Sequence, residues 1–349
     1  MTKWNLAANL AAALSLCLAQ FAGSATAATT DDYSVSEPVV HDNLAIYFVH
    51  GPSRAGPVPL TLAEALAQQT VEVREKGQVN ELAIENKGNE EVFIQAGDIV
   101  KGGQQDRVLS VSLLLKPHSG LLDISAFCVE HGRWSARGNE DVRTFSSANA
   151  SLPSRAAKLE LAGVASPQSG ADTVGKRQAE IWNSVTAIQG KLSSKLGAPV
   201  AAASSRSSLQ LALENGALER AQEDYVKALE PLGEKDDDIV GYVFAVNGRI
   251  NSADIYPSNG LFKKMWPKLL RASATEAFGE RTSPTVAAPP PAADASSFLA
   301  SPGEAPSVEK TATTQGRVET RESAKALYMQ AKPAAAPDSA WVHRNYLAK

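Results

Sequence analysis

The chain has 349 residues, 44% hydrophobic, 21% charged and 6% aromatic, which excludes a fully disordered or fibrous protein and fits one large or two modest globular domains. With 34 basic against 38 acidic side chains the net charge is −4, so no global field exists to hold a polyanion and no nucleic-acid partner is expected. Two cysteines, Cys17 and Cys128, exclude a disulfide framework and a Cys-rich zinc site.

The chain opens with Lys3, an apolar run from Leu6 to Ala22, and the small residues Ala25-Thr26-Ala27. This order predicts a secretory signal spanning 1–27, cut after Ala27 or Ala28. Asn9 and Gln20 interrupt the run, against a retained anchor. Leu16 before Cys17 is too large for lipid attachment. The mature chain is expected to be periplasmic or secreted, off the membrane after cleavage, with Cys128 as a buried, inert thiol.

Leu44 to Val49 reads as a buried strand. Thr61-Leu62-Ala63-Glu64 has the form of a capping box and predicts a helix over Leu62–Gln69. Val71–Arg74, Val79–Glu85 and Val92–Gln95 alternate apolar and polar between turn signals, the pattern of an antiparallel meander. Val108–Leu115 and Ile124–Val129 read as neighbouring strands joined by a turn at Lys116–Gly120. Residues 138–170 are expected to be irregular. Helical spacing predicts helices over Ala171–Leu196, Ser207–Leu232 and Leu261–Phe278. Asn247-Gly248 predicts a tight hairpin between strands Ile239–Val246 and Arg249–Ile255. Residues 281–316, rich in Pro, Ala, Ser and Thr, are read as a disordered insertion. The expectation is an α+β fold: an antiparallel sheet unit with about three main helices, one large discontinuous domain over 37–280, with 317–349 returning to dock on it.

Chemistry-bearing side chains are densest in Gly97 to Arg107 and Cys128 to Trp134. Gly102 and Gly103 permit close backbone approach. In an extended chain Gln105 and Arg107 share a face, as do Cys128 and Glu130. Neighbouring strands would then gather Arg107, Arg133, Asp98, Asp106, Glu130, Gln105 and Trp134 at one end of a sheet. Arg forks suit phosphate or carboxylate, Trp134 suits stacking on a base or sugar, and Glu130 or Asp98 suits acid–base work. The alternative for the same residues is an internal ion-pair network that ties strand ends together. Cys128 and His131 fall on opposite faces of a strand. The five histidines have no metal-ligand spacing, there is no phosphate-loop or serine-elbow motif, and no metal or cofactor is expected. Asp254, next to the Asn247 hairpin, reads as a local cap or a local pairing partner.

Several strings together resemble the ARPP-1 domain, the ARG and rhodanese-phosphatase-superfamily-associated protein. They are Leu60 to Leu66, Ala96-Gly97-Asp98, Gly103 to Arg107 and Cys128 to Trp134. Further along come Ile239-Val240-Gly241, Asn247-Gly248-Arg249, Ala253-Asp254-Ile255, Leu261-Phe262 and Trp266 to Leu270, with Val342 to Asn345 as a closing segment. The likeness spans 44–280 and 317–349. The family's association with ADP-ribosylglycohydrolase and phosphatase-like proteins implies a nucleotide, ADP-ribose-like or phosphate-bearing ligand. Asp98, Gln105, Arg107, Glu130 and Arg133 carry over as polar positions. The family pattern has Glu where Asp98 stands, so reach there is shorter by one methylene. Three functions follow as expectations. The first is a binding module for a phosphate- or carboxylate-bearing small molecule through Gln105, Arg107, Arg133, Trp134, Gly102 and Gly103. The second is a hydrolase or transferase on an ADP-ribosyl-like substrate using Glu130 or Asp98. The third is an envelope-associated structural protein without a ligand.

Overall fold

The apolar run at Leu44 forms the strand Leu44–His50, apolar to both sides. Leu44, Ile46 and Phe48 enter one hydrophobic cluster, and Ala45, Tyr47 and Val49 another, as a two-residue period requires. The structure, a computed structural model, describes Met1, residues 32–138, 141–163, 171–282, 287–303, 305–335, 337 and 339–349. Met1 apart, the expected signal lies outside the described residues.

Among the described residues there are seven helices and three sheets, with nearly every strand pairing antiparallel, so the fold is α+β. The helices are α1 (Leu62–Ala67), α2 (Arg155–Ala162), α3 (Ala171–Leu196), α4 (Leu209–Leu213), α5 (Gly216–Gly233), α6 (Asn259–Glu280) and α7 (Ala292–Ala300). The largest sheet has nine strands. From one edge it runs Ser34–Val35, Leu44–His50, Ile239–Val246, Arg249–Ile255, His343–Ala348, Ala326–Pro333, Gly316–Glu322 and Ser307–Thr313, with Val39–His41 paired to Leu44–His50. A six-stranded sheet orders Phe145–Ser147, Ile99–Gly102, Arg107–Leu109, Leu121–Cys128, Glu81–Asn86 and Val71–Glu75. A three-stranded sheet joins Leu113–Leu115, Val92–Ile94 and Leu60–Thr61, the last two in parallel.

Local signals set several of these elements. Thr61 caps α1: Glu64 N donates to Thr61 Oγ1 at 3.2 Å, and Thr61 N donates to Glu64 Oε2 at 2.7 Å. Asn247 and Gly248 both take positive φ, 51° and 72°, the two-residue hairpin turn. In α3, Ile181, Val185, Ile188 and Leu192 form one stripe against Val108 and Phe127 of the six-stranded sheet; each such buried side chain contributes about 1.5–3 kcal/mol. Helix α6 covers one face of the large sheet with Phe262, Trp266 and Leu269, and α7 covers the other with Ala295, Phe298 and Leu299.

The structure corrects five expectations. The meander does not continue past Glu81–Asn86: Val92–Ile94 leaves for the three-stranded sheet, and Glu81–Asn86 pairs instead with Leu121–Cys128. Alternation marks a strand's faces but not its partner. The run Val108–Leu115 breaks at Ser110-Val111-Ser112. There the Ser110 hydroxyl donates to Ser125 O at 3.1 Å and Ser112 Oγ accepts Ala96 N–H at 2.9 Å, so side-chain oxygens intercept backbone groups. The helix expected over Ser207–Leu232 divides at Asn215, whose side chain caps α5. Finally, 138–170 carries the strand Phe145–Ser147 and helix α2, and the insertion read as disordered over 281–316 contains α7 and the strand Ser307–Thr313. Few apolar residues suffice there because α7 buries Ala295, Phe298 and Leu299 against Tyr47, Tyr328 and Tyr346.

Candidate ligand-binding site

The polar residues singled out in the sequence do gather, but largely as partners of one another. Asp106 and Glu130 are fully buried. Asp106 accepts Gly102 N–H at 3.0 Å, two bonds from Arg137 at 2.8 and 3.2 Å, and the Ser208 hydroxyl at 2.7 Å. Glu130 accepts Asp106 N–H at 3.0 Å, pairs with Arg133 at 2.7 Å, and accepts the Ser205 hydroxyl. Burial pushes the Glu130 carboxyl up, yet these donors, Arg133 first, hold it below its ordinary value. It is an ionised anchor, ill suited to donate a proton.

Arg107 and Arg133 do not converge on one hollow. Asp106 and Arg107 are successive residues entering a strand and turn to opposite sides. Arg133 also donates to Gly102 O and Gly103 O at 3.1 and 3.0 Å. Arg107 donates to Gln105 O at 3.0 Å and pairs with Glu75 at 3.5 Å. The two guanidiniums share no carboxylate, and only Nε of each is buried without an acceptor. Gln105 is spent as well: Nε2 donates to Glu130 O, and Oε1 accepts from Arg107 and the Cys128 thiol. Trp134 lies over Arg107, 5.6 Å from ring centroid to guanidinium, as a half-exposed cover. The two glycines serve the backbone. A Cβ on Gly102 would stand 2.5 Å from Thr144 O, and one on Gly103 2.2 Å from the Phe145 ring. Burial pushes the Cys128 thiol up to about 11, so it stays protonated. His131 packs edge-on against Trp182, away from Cys128.

Asp98 belongs to a separate group. It accepts Gln95 N–H at 2.9 Å and pairs with Lys268 of α6 at 2.6 Å. A shallow hollow of about 420 Å³ adjoins it, with Lys264 and Arg271 also on its wall.

An open guanidinium occurs elsewhere. Between α7 and the large sheet lies a cavity of about 290 Å³. Arg344, from the His343–Ala348 strand, is 8% exposed and forms part of its wall. Its Nε donates to Gln330 Oε1 at 2.8 Å and its Nη1 to the Tyr33 hydroxyl at 3.3 Å. The guanidinium stacks 4.3 Å from the Trp341 ring centroid. Among the described residues no carboxylate pairs with it, whereas the neighbouring Lys332 and Arg321 both hold Glu319, at 2.6 and 2.8 Å. Tyr33, Tyr328 and Tyr346 complete an aromatic wall. Burial pushes all three phenols up, Tyr346 to about 12, so they present neutral hydroxyls.

In the sequence Arg344 stands only within the closing segment Val342 to Asn345. Its sequence signal is a lone Arg flanked by Trp341 and Tyr346 in a short strand. What makes it open is that the carboxylate sharing its cavity, Glu319, is held by Arg321 and Lys332, which no local pattern announces.

The ARG and Rhodanese-Phosphatase-superfamily-associated Protein domain, ARPP-1, matches residues 32–347, nearly the whole chain. The chain belongs to this family. No curated protein and no solved structure matches it.

Proposed function

We propose that the protein, exported and freed of residues 1–27, binds a small molecule bearing a phosphate or carboxylate, and that Arg344 receives the anion. One observation carries this reading: a buried guanidinium lines a cavity whose described carboxylate, Glu319, is already paired with Arg321 and Lys332. Leaving a charge so placed is costly unless a counter-charge arrives. A bidentate oxyanion is the natural counter-charge for a planar fork. The rings of Tyr33, Tyr328 and Tyr346 suit a ligand with a planar or apolar part beside the anion. On this reading the Asp106–Glu130–Arg133–Arg137 group braces the fold, and Glu130 and Asp98 are not the acid–base pair of a hydrolase.

The test is a thermal-shift screen of nucleotides, sugar phosphates and aromatic carboxylates on the mature chain and on Arg344→Met. A ligand at 100 times its Kd stabilises by about 2.7 kcal/mol. Wild type should respond to at least one compound and Arg344→Met should not. An equal response from the variant would sink the assignment.

A further inference from the structure

Ser112, His343 and Asp254 form a line on the opposite face of the same sheet. Ser112 Oγ lies 3.0 Å from His343 Nδ1, and His343 Nε2 lies 3.0 Å from Asp254 Oδ1. All three are buried. Ser112 sits in the break before Leu113–Leu115, His343 opens the strand His343–Ala348, and Asp254 lies on the paired strand Arg249–Ile255.

Chemistry fixes the direction of these bonds. Burial pushes the Asp254 carboxyl up, but His343, Lys158 and Asn345 hold it below its ordinary value. An ionised carboxylate only accepts, so Nε2 carries a proton toward it, and the tautomer with that proton alone offers Nδ1 as an acceptor. Ser112 Oγ accepts Ala96 N–H at 2.9 Å, which leaves its own hydrogen for Nδ1 in that tautomer. The order is that of a nucleophile, its base and an orienting carboxylate. A network that only braced two sheets would need no space beside the hydroxyl. Here a cavity of about 110 Å³ adjoins it, with Ser110, Ser125, Lys310 and exposed Thr311 among its walls, so it reaches the surface. At about 30 Å³ per water it holds a few waters or a short acyl group.

We infer that Ser112 is a catalytic nucleophile that takes a short acyl group from an activated ester or thioester. Oγ bonds to the carbonyl carbon as its proton passes to His343 Nδ1. The bond to the leaving alcohol or thiol then breaks, the electron pair goes with that group, and His343 returns the proton to it. Water repeats both steps on the acyl-serine, releasing the carboxylic acid and restoring the hydroxyl. Lys310 is among the residues on the wall of this cavity. Asp254 is a positioning residue. The inference uses a different cavity from the Arg344 reading and stands or falls without it.

The experiment incubates the mature chain with p-nitrophenyl acetate and p-nitrophenyl octanoate, follows nitrophenolate release, and maps the acyl group by peptide mass spectrometry. We expect turnover of the acetyl ester, little of the octanoyl ester, and an acetyl group on Ser112. Ser112→Ala and His343→Gln should each lower turnover by about 100-fold or more. Asp254→Asn should lower kcat for the acetyl ester with little change in KM and shift the pH–rate profile, which a bracing role alone would not do. The adduct on unaltered protein needs no variant to fold. Wild type with no acyl group on Ser112, or Ser112→Ala turning over at the wild-type rate, overturns the inference.

Discussion

His343 and Arg344 are adjacent in one strand and serve opposite sides of the large sheet. His343 reaches Asp254 and Ser112 on the side of the three-stranded sheet, while Arg344 reaches Gln330 and Tyr33 on the side of α7. The two-residue period of a strand makes this unavoidable. It also separates the consequences of substitution. Arg344→Met removes a buried charge that has no carboxylate partner and keeps most of the side chain's volume. Because replacing such a charge by an apolar group is near neutral, unfolding stability in urea should stay within about 1 kcal/mol of wild type. Ligand-induced stabilisation should vanish. A large loss of stability would mean that Arg344 serves the fold.

The Asp106 group should behave in the opposite way. Arg137 makes two bonds to a carboxylate that is fully buried. Arg137→Ala leaves that carboxylate short of a counter-charge, a loss of about 3–5 kcal/mol. Urea unfolding should report this, and ligand binding at Arg344 should survive at temperatures where the variant stays folded. A cost below about 1 kcal/mol would remove the bracing role.

Acid should weaken the protein through the same group. The folded carboxyl of Glu130 is held below its ordinary 4.5, against the pull of burial, by Arg133, Ser205 and the Asp106 amide. A depressed folded pKa contributes stability that is fully present above the unfolded value and is lost as pH falls through the folded one. Asp254 and Glu319 are depressed too and add to the slope. Urea midpoints should therefore be flat above about pH 5 and fall steeply below about pH 4. Glu130→Gln should start lower at neutral pH and fall less. An equal slope in the variant would remove Glu130 from the account.

Gly102 offers a test of why two glycines adjoin there. It has φ 125° and no room for a Cβ beside Thr144 O. Gly102→Ala should cost at least about 1–3 kcal/mol of stability. It should leave the ligand-induced shift intact, because the close neighbour is backbone and not a bound phosphate. A variant as stable as wild type but unable to bind would restore the glycines to the site.

How far the sequence reveals this molecule depends on the range of each interaction. The capping box at Thr61 and Glu64, the turn at Asn247-Gly248 and the stripe of α3 involve residues within a few positions, and all were legible. The same reasoning gathered Asp106, Glu130 and Arg133 into one patch. It left open whether they hold a ligand or pair with one another, because Arg137 and Ser208, which complete the group, carry no motif. Arg344 meets Tyr33 from the far end of the chain, and Ser112 meets His343 across more than half of it. Such meetings depend on strand pairing, and the apolar pattern of a strand does not name its partner.

Helix α7 shows the same limit and gives the last prediction. Its composition, mostly Ala and Ser, resembles a tether, and its N-cap Pro291 makes no side-chain cap bond. Its order therefore comes from packing, chiefly Phe298 and Leu299 against the face that bears Tyr328 and Tyr346. Phe298 is 8% exposed, and its ring centroid lies 6.1 Å from that of Tyr346. Phe298→Ala deletes the largest of these contacts. Where such a site cannot refill, the loss is about 3–5 kcal/mol. Here the helix can instead detach locally, so the global cost should fall below that range. Hydrogen exchange should locate the change: amides of Ala292–Ala300 should be protected in wild type and exchange rapidly in the variant. Amides of Ile239–Val246 should stay protected in both. Since α7 walls the Arg344 cavity, the ligand-induced shift should fall with its protection. Fast exchange over α7 in the wild-type protein would mean the helix does not hold the cavity closed.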